Sequence, residues 1–311
     1  MPTRLQGKDI LRADQFTRDE TETIMTTAAD LEAVVQSGKR LSNMTGKLLV
    51  TLFYEPSTRT RLSFESAMLR LGGQVLSVAD AKASSSAAKG ETLYDTGKMI
   101  EGYADVAVIR HPVAGSAAEL AEGASIPIIN GGDGAGQHPT QALLDLYTIR
   151  KEKGTAENLT VALIGDLKNG RTVHSLAQLL AGFGTRFYFV SPVALSMPGE
   201  ITAWLRGRGV EVVETMDLVE AAAHSDVLYM TRIQKERFGD PAEYERLKGS
   251  YILDTALVSR AKPGITVMHP LPRVDEIARE VDAYKGAAYF RQATNGVAVR
   301  MALLALVTGQ V

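Results

Sequence analysis

Short apolar runs that stop at polar or proline-containing turns alternate along this chain with stretches whose apolar residues recur at helical spacing. The run 47–53 reads as a buried strand that Pro56 ends, and Ser57 or Thr58 then offers a hydroxyl as a helix N-cap. Leu62, Ala67, Met68 and Leu71 follow at helical spacing until Gly72-Gly73 breaks the pattern. Upstream, Thr17-Arg18-Asp19-Glu20 has the form of a capping box, and Ile24, Met25, Ala28, Leu31 and Val35 predict one core-facing helical stripe. Downstream, strands are predicted at 75–78, 106–109 and 126–129, with a helix over 91–103 and another opening at His138-Pro139-Thr140-Gln141. A second strand–helix series starts at Thr160, with strands predicted at 161–164, 187–190, 210–213, 227–230, 251–253 and 265–268. Residues 294–307 predict a last helix with Val297, Met301, Leu304 and Val307 along one side.

This alternation predicts an α/β protein with two parallel sheets, the second Rossmann-like. The charged, glycine-ended stretch 151–155 sets the domain boundary, giving domains 1–152 and 153–293 and a terminal helix 294–311. The chain has 311 residues, 45% of them hydrophobic and 23% charged, enough for two packed cores. No apolar run reaches membrane-spanning length, and residues 1–6 carry no apolar leader, so a membrane partner and export are not expected. The absence of cysteine excludes disulfides, thiolate nucleophiles and cysteine-bound zinc, and fits a cytoplasmic protein. A net charge of −2 gives no electrostatic case for nucleic acid, so any recognition of anions by arginine is local.

Candidate chemistry gathers where strands end. Ser57, Thr58, Arg59 and Thr60 put hydroxyls and a guanidinium on the first turn of a helix, where free N–H groups and the positive dipole end suit a phosphate. Capping hydroxyls beside solvated arginines are the plainer alternative. Arg110 and the stretch His138–Gln141 follow neighbouring strands, and in an open parallel sheet ligands bind at the strands' carboxyl ends. The small-residue stretch 79–90 reads as a surface loop, or as a mobile loop that delivers Ser85 and Lys89 to an anion. The turn 165–171 lacks the three-glycine dinucleotide spacing, which disfavours a nicotinamide cofactor; Arg171 is its informative residue. Thr231–Arg237 is rich in donors, and the two prolines of His269-Pro270-Leu271-Pro272 impose an extended backbone that exposes carbonyl oxygens.

Ser57-Thr58-Arg59-Thr60-Arg61, Arg110-His111-Pro112, His138-Pro139-Thr140-Gln141 and His269-Pro270-Leu271-Pro272 together resemble, in order, the signatures of the aspartate/ornithine carbamoyltransferase family. Residues 85–91, 170–175 and 231–237 are similar to its aspartate branch, and Pro270 stands where the ornithine branch usually has cysteine. The resemblance implies transfer of the carbamoyl group of carbamoyl phosphate to the amine of L-aspartate, in pyrimidine biosynthesis, without metal or cofactor. It implies a terminal helix packed back on the first domain. It assigns carbamoyl phosphate to Ser57, Thr58, Arg59, Thr60, Ser85, Arg110, His138, Gln141, Leu271 and Pro272, with Leu271–Pro272 cis. It assigns aspartate to Lys89, Arg171, Arg232 and Gln234. Arg59, Thr60, Lys89, Arg110 and His138 are the implied catalytic group. Ser85 and Lys89 are implied to come from a neighbouring subunit, hence a homotrimer with shared sites, with regulatory chains or other pyrimidine enzymes as further partners. Ordered binding with domain closure is expected. His111, His174 and His224 are expected to be structural, and Arg61, Lys235, Arg237 and Arg273 to form ion pairs, Arg273 across the domains. Transfer to another amine such as ornithine, a non-catalytic scaffold and a nucleotide-dependent oxidoreductase are the alternatives.

Overall fold

Strands of four to six residues, apart from one of three, build two all-parallel sheets in a computed structural model that describes residues 4–39, 41–84 and 89–311. The chain divides into two units, Met1–Leu144 with Thr294–Val311, and Asp145–Ala293. In the first, β1 (Leu48–Phe53), β2 (Gln74–Val78), β3 (Val106–His111) and β4 (Ile128–Asp133) lie in the order β2-β1-β3-β4. In the second, β5 (Thr160–Ile164), β6 (Arg186–Val190), β7 (Val212–Thr215), β8 (Val227–Met230) and β9 (Thr266–Met268) lie in the order β7-β6-β5-β8-β9. Strand order therefore reverses direction once in each sheet, between β1 and β3 and between β5 and β8. Such switch points open a crevice at the carboxyl ends of the two strands.

The central strands are buried almost throughout, as parallel strands covered by helices must be. Val50, Leu52, Ala107, Ile109 and Ile128 pack with Ile100, Ala117 and Leu120 in the first unit. Ala162, Ile164, Leu228, Met230 and Val267 pack with Leu218, Ala221, Val281 and Tyr289 in the second. Both sheets fasten their central strand pair at the entry end in the same way. Asp105, just before β3, accepts from the Leu48 N–H (2.8 Å) and Lys47 Nζ (2.8 Å) at the start of β1. Asp226, just before β8, accepts from the Thr160 N–H (2.9 Å) at the start of β5 and from Lys262 Nζ (2.6 Å).

Several predicted elements shift. The 251–253 strand is absent from the sheet: β9 occupies the place beside β8, and Leu253 makes only a single-residue bridge to Ile277. The 210–213 strand begins two residues later, after Gly209 in the left-handed region (φ 77°). β3 and β4 run on through Arg110-His111 and Asn130–Asp133, which pair with one another past a register irregularity. The 91–103 helix shortens to Leu93–Ile100 behind a Thr92 N-cap. Residues 81–84 of the expected loop form a helical turn. The first helix, Arg18–Ser37, has the capping box, but only Ile24, Met25 and Ala28 of its stripe are fully buried. Leu62 is half exposed; Thr60, Phe64, Ala67 and Met68 form the buried face of Thr58–Arg70 instead. The last helix is Tyr289–Thr308, and every residue from Ala298 to Val307 is buried, Arg300 included, so burial runs all round it rather than along the predicted stripe. It lies in the first unit from Thr294 on, where Gly7 N–H bonds the Val307 carbonyl (2.8 Å).

Candidate active site

In the first unit, β1 feeds the turn Tyr54-Glu55-Pro56, and Ser57 takes the N-cap position of the helix Thr58–Arg70. Its hydroxyl makes no capping bond, contrary to the expectation. Among the described residues the Thr58 and Thr60 hydroxyls are likewise uncommitted, so the helix start keeps donors and acceptors for a ligand. Arg59 is exposed on this turn and Thr60 is buried. Arg61, by contrast, is engaged: it reaches Ser77 Oγ (3.0 Å) and Glu65 Oε1 (3.3 Å), while Ser77 and Thr51 also donate to Glu65.

Arg110 lies in register with Phe53 across the switch point. Its Nη1 donates to the Gly131 carbonyl (3.3 Å), and its Nε lies 3.4 Å from a Glu55 carboxylate oxygen. A Cβ on Gly131 would sit 3.6 Å from Thr60 Cγ2 and 3.1 Å from the Ile109 carbonyl, so β1, β3 and β4 bring Thr60 and Arg110 together around this glycine. His138 and Gln141, both buried, stand at the start of the helix Pro139–Lys153 that follows β4. Asp133 shapes the intervening turn, accepting from the Gly115 and Gln137 N–H groups (2.7 Å each). Lys89 is exposed; Ser85 lies outside the described residues.

In the second unit, Gly165 follows β5 with φ +114°, and a Cβ there would come within 2.3 Å of the Thr231 carbonyl oxygen, so only glycine lets β5 and β8 end side by side. Thr231 Oγ1 donates to the Ile164 carbonyl (2.8 Å) and accepts from the Asp166 N–H (3.1 Å). Asp166 in turn accepts from the Asn169 N–H (3.0 Å), and the Gln234 side chain donates to the Asn169 carbonyl (3.2 Å). This mesh fixes the turn that ends at Gly170, the N-cap of the helix Arg171–Leu180. Arg171, buried, and Arg232, half-buried, thus follow the two strands that flank the second switch point, with Gln234 tied to the same turn.

After β9, the Leu271–Pro272 bond is cis. Among the described residues neither the Leu271 nor the Pro272 carbonyl accepts a hydrogen bond. Arg273 pairs with Asp282 (2.8 Å) and Tyr289 within its own unit rather than across units. The Tyr289 hydroxyl, pushed up to about 12 by burial and by Asp282, stays protonated. His174 bonds the Leu167 carbonyl, His111 bonds Ser116, and His224 stacks on Tyr188, all local contacts. His269 and Glu276, which sequence reasoning passed over, form a buried pair at 2.6 Å; the signal was a histidine opening a proline-rich turn with a carboxylate seven residues on. Among the described residues no cluster of side chains could hold a metal ion, and no helix is long and apolar enough to cross a membrane.

Two family models match the chain. Residues 8–151 match the aspartate/ornithine carbamoyltransferase carbamoyl-P binding domain and residues 157–307 the Asp/Orn binding domain. The chain belongs to the aspartate/ornithine carbamoyltransferase family. Among relatives in this family, an aspartate carbamoyltransferase catalytic subunit of Thermococcus kodakarensis is 54% identical over 98% of both chains. A chloroplastic aspartate carbamoyltransferase of Arabidopsis thaliana is 52% identical over 97% of this chain and 78% of its own. The crystal structure of Trypanosoma cruzi aspartate transcarbamoylase with carbamoyl phosphate superposes with a TM-score of 0.93 at 43% identity, over 99% of this chain and 98% of that one. The same enzyme with N-(phosphonacetyl)-L-aspartic acid gives 0.92, also at 43% identity, over 98% of both chains.

Proposed function

We propose that this chain transfers the carbamoyl group of carbamoyl phosphate to the amine of L-aspartate, yielding N-carbamoyl-L-aspartate and phosphate for pyrimidine synthesis. The observation that carries the choice of acceptor is the pair Arg171 and Arg232 at the switch point of the second sheet, with Gln234 bonded into the same turn. Two guanidinium forks suit a dicarboxylate, each able to take one carboxylate in two parallel bonds. Ornithine offers a single carboxylate and a second cation, which one of these arginines would repel.

In this reading Ser57, Thr58, Arg59 and Thr60 hold the phosphate, with Arg110 beside it. Thr60, Arg110 and His138 donate to the carbonyl oxygen, where negative charge grows as the amine attacks. Gln141 and the Leu271 and Pro272 carbonyls orient the carbamoyl NH2 group. The nitrogen bonds to the carbonyl carbon, the bond from that carbon to the phosphate oxygen breaks, and the amine proton passes to the departing phosphate. No side chain acts as a nucleophile; catalysis comes from holding the reactants in line and stabilising charge.

Ser85 and Lys89 act in a neighbouring copy's site, which requires a homotrimer. Leu76, Tyr94, Met99 and Tyr103, each more than 40% exposed on the first unit, supply an apolar surface for that assembly. Carbamoyl transfer assayed with L-aspartate and L-ornithine side by side tests the reaction: turnover with aspartate is expected, and turnover with ornithine alone would overturn it. The mass of the native particle tests the trimer, and a monomer with full activity would exclude the shared site.

A further inference from the structure

The turn between β9 and residue 276 leaves two carbonyls open while four of its N–H groups are committed elsewhere. Pro270 and Pro272 have none. The His269 N–H donates to Gln292 Oε1 (2.9 Å), and the Leu271 N–H donates to His269 Nδ1 (2.7 Å). The Val274 and Asp275 N–H groups donate to Glu276 Oε2 (3.1 and 3.2 Å). Glu276 Oε1 faces His269 Nε2 at 2.6 Å, and both side chains are buried. One carboxylate therefore closes the segment 269–276 on itself, gripping the imidazole with one oxygen and two amides with the other.

The pattern dictates where the imidazole proton sits. Nδ1 accepts from an amide, so the proton is on Nε2 and is donated to Glu276. A doubly protonated ring would set N–H against N–H at Leu271. Burial holds His269 below the usual histidine range, with Arg232 and Arg273 acting in the same direction, which agrees with a neutral ring. The turn is anchored further: Gln292 Nε2 donates to Asp145 Oδ1 (2.6 Å), and Asp145 Oδ2 accepts from the Tyr229 hydroxyl of β8 (2.7 Å).

We propose that Glu276 and His269 are positioning residues for carbamoyl transfer: the carboxylate fixes a neutral, Nε2-protonated imidazole, the imidazole holds the Leu271 amide, and the Leu271 and Pro272 carbonyls are thereby aimed at the carbamoyl NH2 group. This rests on the reading given under Proposed function, and neither residue touches substrate.

Three variants of the full chain separate the links. His269→Asn places an amide oxygen near the Nδ1 position, keeping an acceptor for the Leu271 N–H. His269→Gln reaches toward Glu276 but loses that acceptor. Glu276→Gln offers one acceptor where two are needed. With aspartate saturating, kcat is expected to fall on the order of 10- to 100-fold in His269→Gln and Glu276→Gln, the scale of a small misplacement of reacting groups. His269→Asn is expected to lose about tenfold less than His269→Gln. KM for aspartate is expected to hold in all three. Imidazole 15N shifts of the wild type are expected to report the Nε2-protonated neutral ring. Equal losses in His269→Asn and His269→Gln, full kcat in Glu276→Gln, or an Nδ1-protonated ring would each overturn the inference. Should the variants fail to fold, the wild-type 15N spectrum decides alone. A wild-type chain that carbamoylates no aspartate would instead refute the functional reading, so the two failures are distinguishable.

Discussion

Arg110, on β3, ties the turn after β1 to β4. Its backbone carbonyl accepts from the Tyr54 N–H (2.8 Å), and its guanidinium spans Glu55 and Gly131. Arg110→Ala is expected to lower kcat on the order of 100-fold or more, the scale of losing one oxyanion donor, with unfolding by urea little changed because the strand pairing is backbone-made. His269 gives a pH prediction. Its folded pKa lies below the ordinary 6.5, because of burial. Below pH 6.5 the unfolded chain therefore takes up a proton that the native chain refuses, and stability falls with pH until the folded pKa is passed. For Glu276 burial would raise the pKa, but the His269 and backbone hydrogen bonds leave it lowered from 4.5. Its contribution is thus present above that value and lost as pH falls further. Urea midpoints measured from pH 7.5 to 5 are expected to drop, less steeply in His269→Gln. At this scale the sequence exposed the residues whose neighbours form a motif, such as Thr60 and Arg171. It hid the link between His269 and Glu276, because that link forms only once the proline turn folds back.

The nine strands among the described residues show what periodicity can and cannot tell. Runs of aliphatic and aromatic residues located β1, β3, β5, β6 and β8, all central and buried, where burial decides the residue type. The strand expected at 251–253 has the same composition, but whether a short apolar run joins a sheet depends on which edge is open, and β9 fills that edge. β4 shows the reverse: Asn130-Gly131-Gly132 reads as a turn, yet it pairs as strand because Asn130 bonds the Gly132 N–H (2.8 Å) and the Leu11 carbonyl (3.0 Å). Strand entry is held by Asp105 and Asp226. At Asp226 burial opposes ionisation, but Lys262 and the Thr160 N–H prevail and lower its pKa from 3.8. Asp226→Asn is expected to cost about 1.5–3 kcal/mol, the range for hydrogen bonds to a charged group, measured as a shift in urea midpoint at pH 7. The difference from wild type should vanish as pH falls through the region where Asp226 itself protonates.

At the scale of the molecule, the contacts proposed for the phosphate and for the aspartate carboxylates fall largely in different units. The hydroxyl-lined helix start and Arg110 belong to one, Arg171 and Arg232 to the other. Arg171→Ala is therefore expected to raise KM for aspartate by 10-fold or more, about the cost of one carboxylate–guanidinium bond pair, while calorimetric affinity for carbamoyl phosphate alone is unchanged. Affinity for carbamoyl phosphate falling in parallel would show that the tasks are not divided in this way. Along the chain the motifs stand in order, each following its own strand. The exposure of Leu76, Tyr94 and Met99 was not readable from the pattern, because in sequence they look like ordinary core residues.

The first unit is also discontinuous: it needs Thr294–Val311 as well as Met1–Leu144. On the ribosome, then, the unit encoded later is the first to possess all its parts. The one encoded earlier stays incomplete until the buried residues Val299, Met301, Leu303 and Leu306 emerge. A chain that stopped before Thr294 would keep the arginines proposed to grip aspartate and lack part of the unit that presents Arg59.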